Sequence, residues 1–317
     1  MSKTRPNNPL ISIVVPVLDE EGCVDELAQR IDEALSAQAV RHEIVFVDDG
    51  SRDHTPDRIA ALHRANSRVK SVRFTRSFGH QAALIAGLRH ARGDAVVTMD
   101  ADLQHPPEFL PKLIEFWREG NDVVSTVRLH TESEPGGVKE SVSKLFYRLM
   151  SAIASVPVRP AAADFRLLDR CAVDAINTLD ERFVFMRGLV PWLGFSEAHF
   201  EYEIGSRFAG KSKYRWWRMF NLALDGIFSF SFAPLRLISV LGLFTTVLGI
   251  AFGIYALVPH ATGQLDDAGW TSAIVLILIF GGIQLLSLGI VGEYVGRTYE
   301  EVKRRPRYVI ESLIGID

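Results

Sequence analysis

Asp100 and Asp102 are the residues in this chain whose types and spacing most directly promise chemistry. They stand in Thr98-Met99-Asp100-Ala101-Asp102-Leu103-Gln104-His105-Pro106-Pro107, directly after the apolar run Ala95-Val96-Val97, which reads as a buried strand. Prolines and polar residues then end the run. Two carboxylates that close repel each other unless positive charge lies between them. A hard divalent cation such as Mg2+ or Mn2+ meets that need, because it takes oxygen ligands and bridges phosphates. The same pair also suits a solvated turn in which Asp accepts from nearby backbone. The rest of the chain decides between the two.

Other acids recur at equivalent places. Ile11 to Val17 is a continuous apolar, β-branched run followed by Leu18-Asp19-Glu20-Glu21. Ile44 to Val47 is a second such run, stopping at Asp48-Asp49-Gly50-Ser51. Runs of this kind are strands buried on both faces, hence strands of a parallel sheet. Between them lie helical patterns over 24–37, 55–65 and 81–92, with further strands at 69–74, 95–99, 122–125 and 164–169. The alternation predicts an open α/β sheet with right-handed crossovers. Ligands of such sheets lie beyond the carboxyl ends of the strands, where Asp19, Glu20, Asp48, Asp49, Asp100 and Asp102 all fall. Acids after three separate strands point to one shared site rather than to scattered solvated loops. Residues 128–137 are polar and Gly/Pro-bearing, a loop, and 141–153 carry a helical apolar stripe.

The 317 residues suffice for one large domain and an appendage, and a net charge of −3 gives no basic field for nucleic acid. Cys23 and Cys171 have no metal or redox spacing and read as neutral thiols of a reducing compartment. Residues 1–9 hold no apolar segment of the signal-peptide kind. Leu237 to Val258 and Ala268 to Gly292 are uncharged runs, each long enough to span a bilayer. The link between them holds Asp266 and Asp267 but no Lys or Arg; Arg236 flanks one side, and Arg297, Lys303, Arg304, Arg305 and Arg307 the other. The positive-inside rule then places both termini in the cytoplasm. Residues 214–232 mix Trp and Phe with Arg, as a helix in the membrane interface or an amphipathic core helix would. Gly242, Gly249 and Gly253 offer small faces for helix packing, within one chain or in a homo-oligomer.

Val15-Pro16-Val17-Leu18-Asp19-Glu20, Val47-Asp48-Asp49-Gly50-Ser51, Asp100-Ala101-Asp102-Leu103-Gln104 and Arg207-Phe208-Ala209-Gly210-Lys211-Ser212-Lys213-Tyr214 together resemble the inverting family-two glycosyltransferases. Within them the chain is similar to the polyisoprenyl-phosphate glycosyltransferases, the group of dolichol-phosphate mannose synthase and the bacterial bactoprenol glucosyltransferases. The resemblance covers nearly the whole chain. It implies a nucleotide-diphospho-sugar transferase domain of GT-A type over 1–212, an interfacial helix over 213–234, transmembrane helices over 235–258 and 269–294, and a cytoplasmic tail over 295–317.

It also implies roles. Pro16, Asp19, Glu20 and Asp48 would hold the uracil and ribose of a UDP-sugar, with Asp49 beside them or shaping the turn, and Asp100 toward the diphosphate. Asp100, Asp102 and Gln104 would hold Mg2+ or Mn2+. Arg128, Lys139 and Ser143 would bind the phosphate of the lipid acceptor, and Arg207, Ser212 and Lys213 would close over the diphosphate or that acceptor phosphate. Asp102 and Asp164 would be catalytic, Asp164 in the place of the family's proposed base. A phosphate monoester has its second pKa near 6, so it is largely ionised at neutral pH. Asp164 therefore either takes a proton or orients neighbouring Arg and Lys side chains. The implied reaction is hexosyl transfer, with inversion, from a UDP-sugar, glucose foremost, to polyprenyl (undecaprenyl) phosphate at the bacterial inner membrane. A processive polysaccharide synthase would carry Gln-x-x-Arg-Trp for the growing chain; Arg215-Trp216 is present, but Ser212 stands where Gln should be. A non-catalytic membrane partner would have no use for so many repelling carboxylates.

Overall fold

The computed structural model describes residues 5–36, 38, 40–129, 162–179, 181, 186–203, 232–261 and 269–316. The chain divides into two compact units. The larger is built on strands β1 (Leu10–Val17), β2 (Arg41–Asp48), β3 (Val69–Phe74), β4 (Ala95–Thr98), β5 (Val123–Leu129), β6 (Ala162–Asp169), β7 (Glu197–Glu203) and β8 (Ile310–Ile314). Its helices are α1 (Val24–Ser36), α2 (Thr55–Ala65), α3 (His80–His90), α4 (Leu110–Arg118), α5 (Arg170–Thr178) and α6 (Met186–Trp192).

All eight strands form one sheet in the order β7-β5-β6-β4-β1-β2-β3-β8. The expected parallel register holds for β1 with β2 and β4, and for β2 with β3. The sheet as a whole is mixed, however: β6 runs antiparallel between β4 and β5, and β8 antiparallel along β3. Because β2 and β4 flank β1 on opposite sides, the connections diverge there, and a crevice opens at the carboxyl ends of such neighbours.

Strand pleating sends alternate side chains to opposite faces. Ile11, Ile13, Val15 and Val17 of β1 join one core with Leu27 and Ile31 of α1, Ile59 of α2 and Leu113 and Trp117 of α4. Val14 joins the other with Leu84 and Leu88 of α3, Val173 and Ile176 of α5 and Leu189 of α6. The result is a helix–sheet–helix sandwich. The approach of α3 to β1 needs a glycine, since a Cβ on Gly87 would stand 2.1 Å from Val14 Cγ1.

The tail expected over 295–317 is different in the structure. A helix runs on to Val302, and residues 310–314 are β8, an edge strand of this sheet. Tyr308 stacks on buried Phe74 at 4.8 Å and 13°.

The second unit holds α7 (Ala233–Ala261) and α8 (Gly269–Val302). Segments Ala233–Ile254 and Val275–Val302 each contain an 18-residue stretch of mean hydropathy 2.3 with none of it buried, so both are candidate membrane spans by length and composition. The interfacial helix expected over 213–234 lies, up to residue 231, outside the described residues.

Candidate active site

The turns after β1 and β2 are stitched into one platform. Asp19 N donates to Ser51 Oγ at 3.0 Å, Arg52 N to Asp19 Oδ1 at 2.8 Å, and Glu20 N to Thr55 Oγ1 at 2.9 Å. Asp19 holds a left-handed backbone, φ 56, a strain that non-glycine residues adopt only where surroundings enforce it. Asp48 is fully buried; its Oδ1 accepts from Ser51 N at 2.8 Å, and its Oδ2 faces Arg73 Nε at 3.3 Å. Burial raises its pKa, against the Ser51 hydrogen bonds and the Arg73 charge. Pro16 lies in β1 opposite Val47.

Asp49 turns away from this platform. It accepts from Ser77 Oγ at 2.7 Å, Phe78 N at 2.6 Å and Gly79 N at 3.0 Å. It thus holds the loop between β3 and α3. The two loops touch so closely at Gly50 (φ 77) that a Cβ there would meet Arg76 C at 2.6 Å.

That loop delivers His80. His80 Nε2 lies 2.9 Å from Asp100 Oδ1, and His105 Nε2 lies 3.2 Å from Asp100 Oδ2. Burial alone would raise the Asp100 pKa, but the His105 and His80 hydrogen bonds outweigh it and hold the carboxyl far below its ordinary range. Burial likewise opposes charge on His80, yet its bond to Asp100 raises that pKa. Asp102 Oδ1 accepts from Gln104 N at 3.1 Å, closing a turn in which Leu103 has φ 58. Glu20 is pushed up, first by burial and then by the charges of Asp102, Asp53 and Asp100. The acids after β1 and β4 therefore form one electrostatic cluster.

Asp164 joins it from β6. Since β6 is antiparallel, its beginning meets the end of β4, where Thr98 Oγ1 donates to Asp164 O at 2.6 Å. Its carboxylate receives Arg187 Nε at 3.2 Å and Arg187 Nη2 at 3.0 Å, and Arg166 Nη2 lies 3.6 Å away. Burial works against the charge, but Arg187 and Arg166 hold the Asp164 pKa below its ordinary value. Arg128 sits at the same end of the sheet, near the end of β5. Lys139, Ser143, Arg207, Ser212 and Lys213 lie outside the described residues.

Glu20, Asp100 and Asp102 with Gln104 are a hard-oxygen set whose mutual repulsion suits Mg2+ or Mn2+. The described residues contain another candidate, Asp122, Asp169 and Cys171, whose ligand atoms all lie within 4.8 Å of one another. There the positive charge is already supplied. The Arg5 guanidinium pairs with Asp169 and, at 3.1 Å, with Asp122, and Trp117 Nε1 donates to Asp169 at 2.7 Å. We read that cluster as an anchor for the N-terminal segment.

His80, His105, Arg166 and Arg187 were not singled out by the sequence reading. His105 was within reach, in the same motif as Asp102. His80 carried only the signal of following Gly79 beyond a strand.

Residues 12–176 match the family described as glycosyl transferase family 2, and residues 233–298 match the GtrB C-terminal hairpin. The chain belongs to glycosyl transferase family 2. An uncharacterized glycosyltransferase of Synechocystis sp. is 40% identical to it over 97% of this chain and 96% of the relative. A prophage-derived bactoprenol glucosyl transferase of Shigella flexneri is 40% identical over 95% and 97%, and a prophage bactoprenol glucosyl transferase homolog of Escherichia coli K12 39% identical over 96% and 99%. Among solved structures, a mannosyltransferase from Pyrobaculum calidifontis in complex with GDP-Man and Mn2+ aligns with a TM-score of 0.49 and 16% identity, over 94% of this chain and 88% of that one. This family-two glycosyltransferase thus carries its GT-A-like mixed sheet ahead of two apolar helices.

Proposed function

We propose that the enzyme transfers a hexose, glucose foremost, from a UDP-sugar to the phosphate of a polyprenyl lipid such as undecaprenyl phosphate, with inversion. The observation that carries this reading is the convergence of Glu20, Asp100, Asp102 and Asp164 at the carboxyl end of the sheet, in a chain that continues into an apolar helical hairpin. Relatives named bactoprenol glucosyl transferases, matched over 95% of the chain, support the acceptor class.

In this reading Asp19 and Glu20 receive the nucleoside, since carboxylates accept from ribose hydroxyls, while Asp48, expected beside them, is buried and braces the β1–β2 platform through Ser51. Asp100, Asp102 and Gln104 would hold a divalent cation, which supplies charge neutralisation on the leaving diphosphate. An oxygen of the acceptor phosphate forms the new bond to the anomeric carbon as the bond to UDP breaks. The electron pair leaves with UDP, and the ionised acceptor has no proton to lose. The chain's own contribution is positioning and fixed charge. His80 and His105 hold Asp100 ionised and oriented, and the Asp164–Arg187 pair stands beside them.

We place the enzyme at the cytoplasmic face of a bacterial inner membrane, with both termini cytoplasmic. Arg236 and the basic stretch 297–307 flank the hairpin, in keeping with the positive-inside rule. The chain also returns from α8 to supply β8 to the sheet, so both ends of the hairpin connect to the same folded unit. Among the described residues only two helices are candidate spans, few for the conduit of a processive synthase. Incubating the full chain with a panel of nucleotide sugars, with and without undecaprenyl phosphate, and weighing the lipid product tests the reading. A single hexose added to the phosphate, dependent on divalent cation, is expected. A lengthening glycan, or UDP release indifferent to the lipid phosphate, would refute it.

A further inference from the structure

We propose that Glu311, in the strand that follows the apolar hairpin, is a positioning residue for the donor nucleotide and acts through Arg73 on Asp48; this rests on the UDP-sugar donor proposed above. The three side chains lie in a row across neighbouring strands, in the order β2-β3-β8. Arg73 pairs with Asp48 in the parallel register of β2 and β3, so their side chains share one face of the sheet. Arg73 Nε lies 3.3 Å from Asp48 Oδ2 and 3.1 Å from Glu311 Oε2. One guanidinium thus stands between a carboxylate of the β1–β2 platform and a carboxylate of β8.

Glu311 reaches Arg73 because the pairing is irregular at that point. Arg73 stands opposite Ser312 and Phe74 opposite Ile310, so the register passes over Glu311. A bulge of this kind carries one extra residue, re-aims a side chain and recurs beside active sites. The strand is secured next to it, where Tyr308 stacks on Phe74 and Thr75 N donates to Val309 O at 3.1 Å.

Asp48 needs the cation. It is fully buried. Ser51 N serves its Oδ1 at 2.8 Å, whereas Oδ2 accepts no hydrogen bond among the described residues and has the Arg73 charge beside it. Burial and the Asp53 charge disfavour ionised Asp48, and Ser51 and Arg73 favour it. Ser51 in turn holds the proposed nucleoside turn, since Asp19 N donates to its Oγ at 3.0 Å. The Arg73 side chain is 35% exposed and that of Glu311 50% exposed, so Arg73 gives up rotamer freedom to stay beside Asp48. A carboxylate on each side leaves it one place to rest. With Glu311 neutralised, Arg73 turns to solvent more often, and the Asp48–Ser51–Asp19 link loosens.

The test uses the full chain in detergent micelles. Glu311→Gln keeps the size and removes the charge, and should weaken UDP binding about threefold, the scale of a part-exposed ion pair. Arg73→Gln leaves the buried Asp48 carboxylate without its cation and should weaken UDP binding about tenfold or more. Adding Glu311→Gln to Arg73→Gln should bring no further loss, because its effect runs through Arg73. In turnover, Glu311→Gln should raise KM for UDP-glucose by about the same threefold and leave kcat close to parental. If β8 serves the fold alone, Glu311→Gln lowers the thermal midpoint and leaves UDP affinity at the parental value. That result, tighter UDP binding by Glu311→Gln, or additive losses in the double variant would overturn the proposal. If the parent binds no UDP, the proposed donor has failed, and the relay is read without nucleotide by hydrogen exchange at the Ser51 amide. Faster exchange there in both single variants would support the relay, and parental exchange in Glu311→Gln would end it.

Discussion

Tyr308→Ala should destabilise the glycosyltransferase sheet although Tyr308 lies beyond both apolar helices in the chain. Its ring stacks on Phe74, which is fully buried in β3. Directly after it, Thr75 N donates to Val309 O at 3.1 Å, and β8 pairs with β3 from Ile310 to Ile314. On the other side Arg307 donates to Leu179 O at 2.6 Å. Removing a fully buried aromatic side chain costs about 3–5 kcal/mol. Tyr308 is only partly buried, so about half of that, near 2 kcal/mol, is expected. For a unit of this size each kcal/mol lowers the midpoint by about 2–4 °C, giving a drop of about 4–8 °C. Thermal unfolding of the full chain in detergent reads the midpoint, and hydrogen exchange at the Val72 and Phe74 amides reads β3 itself. Truncation before Pro306 should do more, because it removes a whole strand and bares the β3 edge. A truncated chain with the parental midpoint, parental β3 protection and parental UDP affinity would refute the integral role of β8.

Arg5→Ala should destabilise the same unit by about 3 kcal/mol, because it leaves the buried Asp122 and Asp169 carboxylates uncompensated; turnover per folded molecule should hold, and a fall in that turnover would contradict the anchor reading. His80→Ala removes one of two histidines on Asp100 and should raise the Mg2+ or Mn2+ concentration for half-activation by about tenfold or more; an unchanged activation curve would remove His80 from the site. Asp164→Asn should cost stability in a pH-dependent way. The Asp164 pKa is lowered in the folded protein, so its contribution is fully present above the ordinary carboxylate range and is lost as pH falls through the folded value. The stability gap between parent and variant should stay flat from pH 7 to about 5 and narrow below about pH 4; a gap that widens on acidification would be the wrong sign.

Where a segment's own residues determine its structure, the sequence was legible. Helix α2 and strand β3 have the boundaries that Thr55–Ala65 and Val69–Phe74 suggest, because Pro56 starts one and the β-branched and aromatic residues Val69, Val72 and Phe74 mark the other. The direction of β6 was not legible. Asp164-Phe165-Arg166-Leu167-Leu168-Asp169 reads as a buried strand either way, and only its partners β4 and β5 make it antiparallel. Strand β8 was missed for a related reason. Ile310-Glu311-Ser312-Leu313-Ile314 is short and half polar, as befits an edge, and its partner lies at the other end of the chain.

The chemistry divides along the same line. Carboxylates at strand ends are visible because strand and acid are adjacent in sequence, so the sequence alone brings Glu20, Asp100 and Asp102 to one place. Their counter-charges come from elsewhere. His80 opens α3, His105 lies beyond the Asp-x-Asp turn, and Arg187 opens α6; each reaches its carboxylate only after the sheet has brought β3, β4 and β6 side by side. Repulsion among like charges announces that a partner must exist, but the fold decides which partner it is. At Asp100 the described partners are histidines on both oxygens, a contact that a bound cation would share or displace. At Asp164 they are two guanidiniums, which hold the carboxylate ionised, and on the proposed reading the acceptor phosphate has already lost the proton a base would take. On the proposed reading Asp100 then serves the leaving diphosphate, while Asp164, on the neighbouring strand, anchors guanidiniums rather than taking a proton.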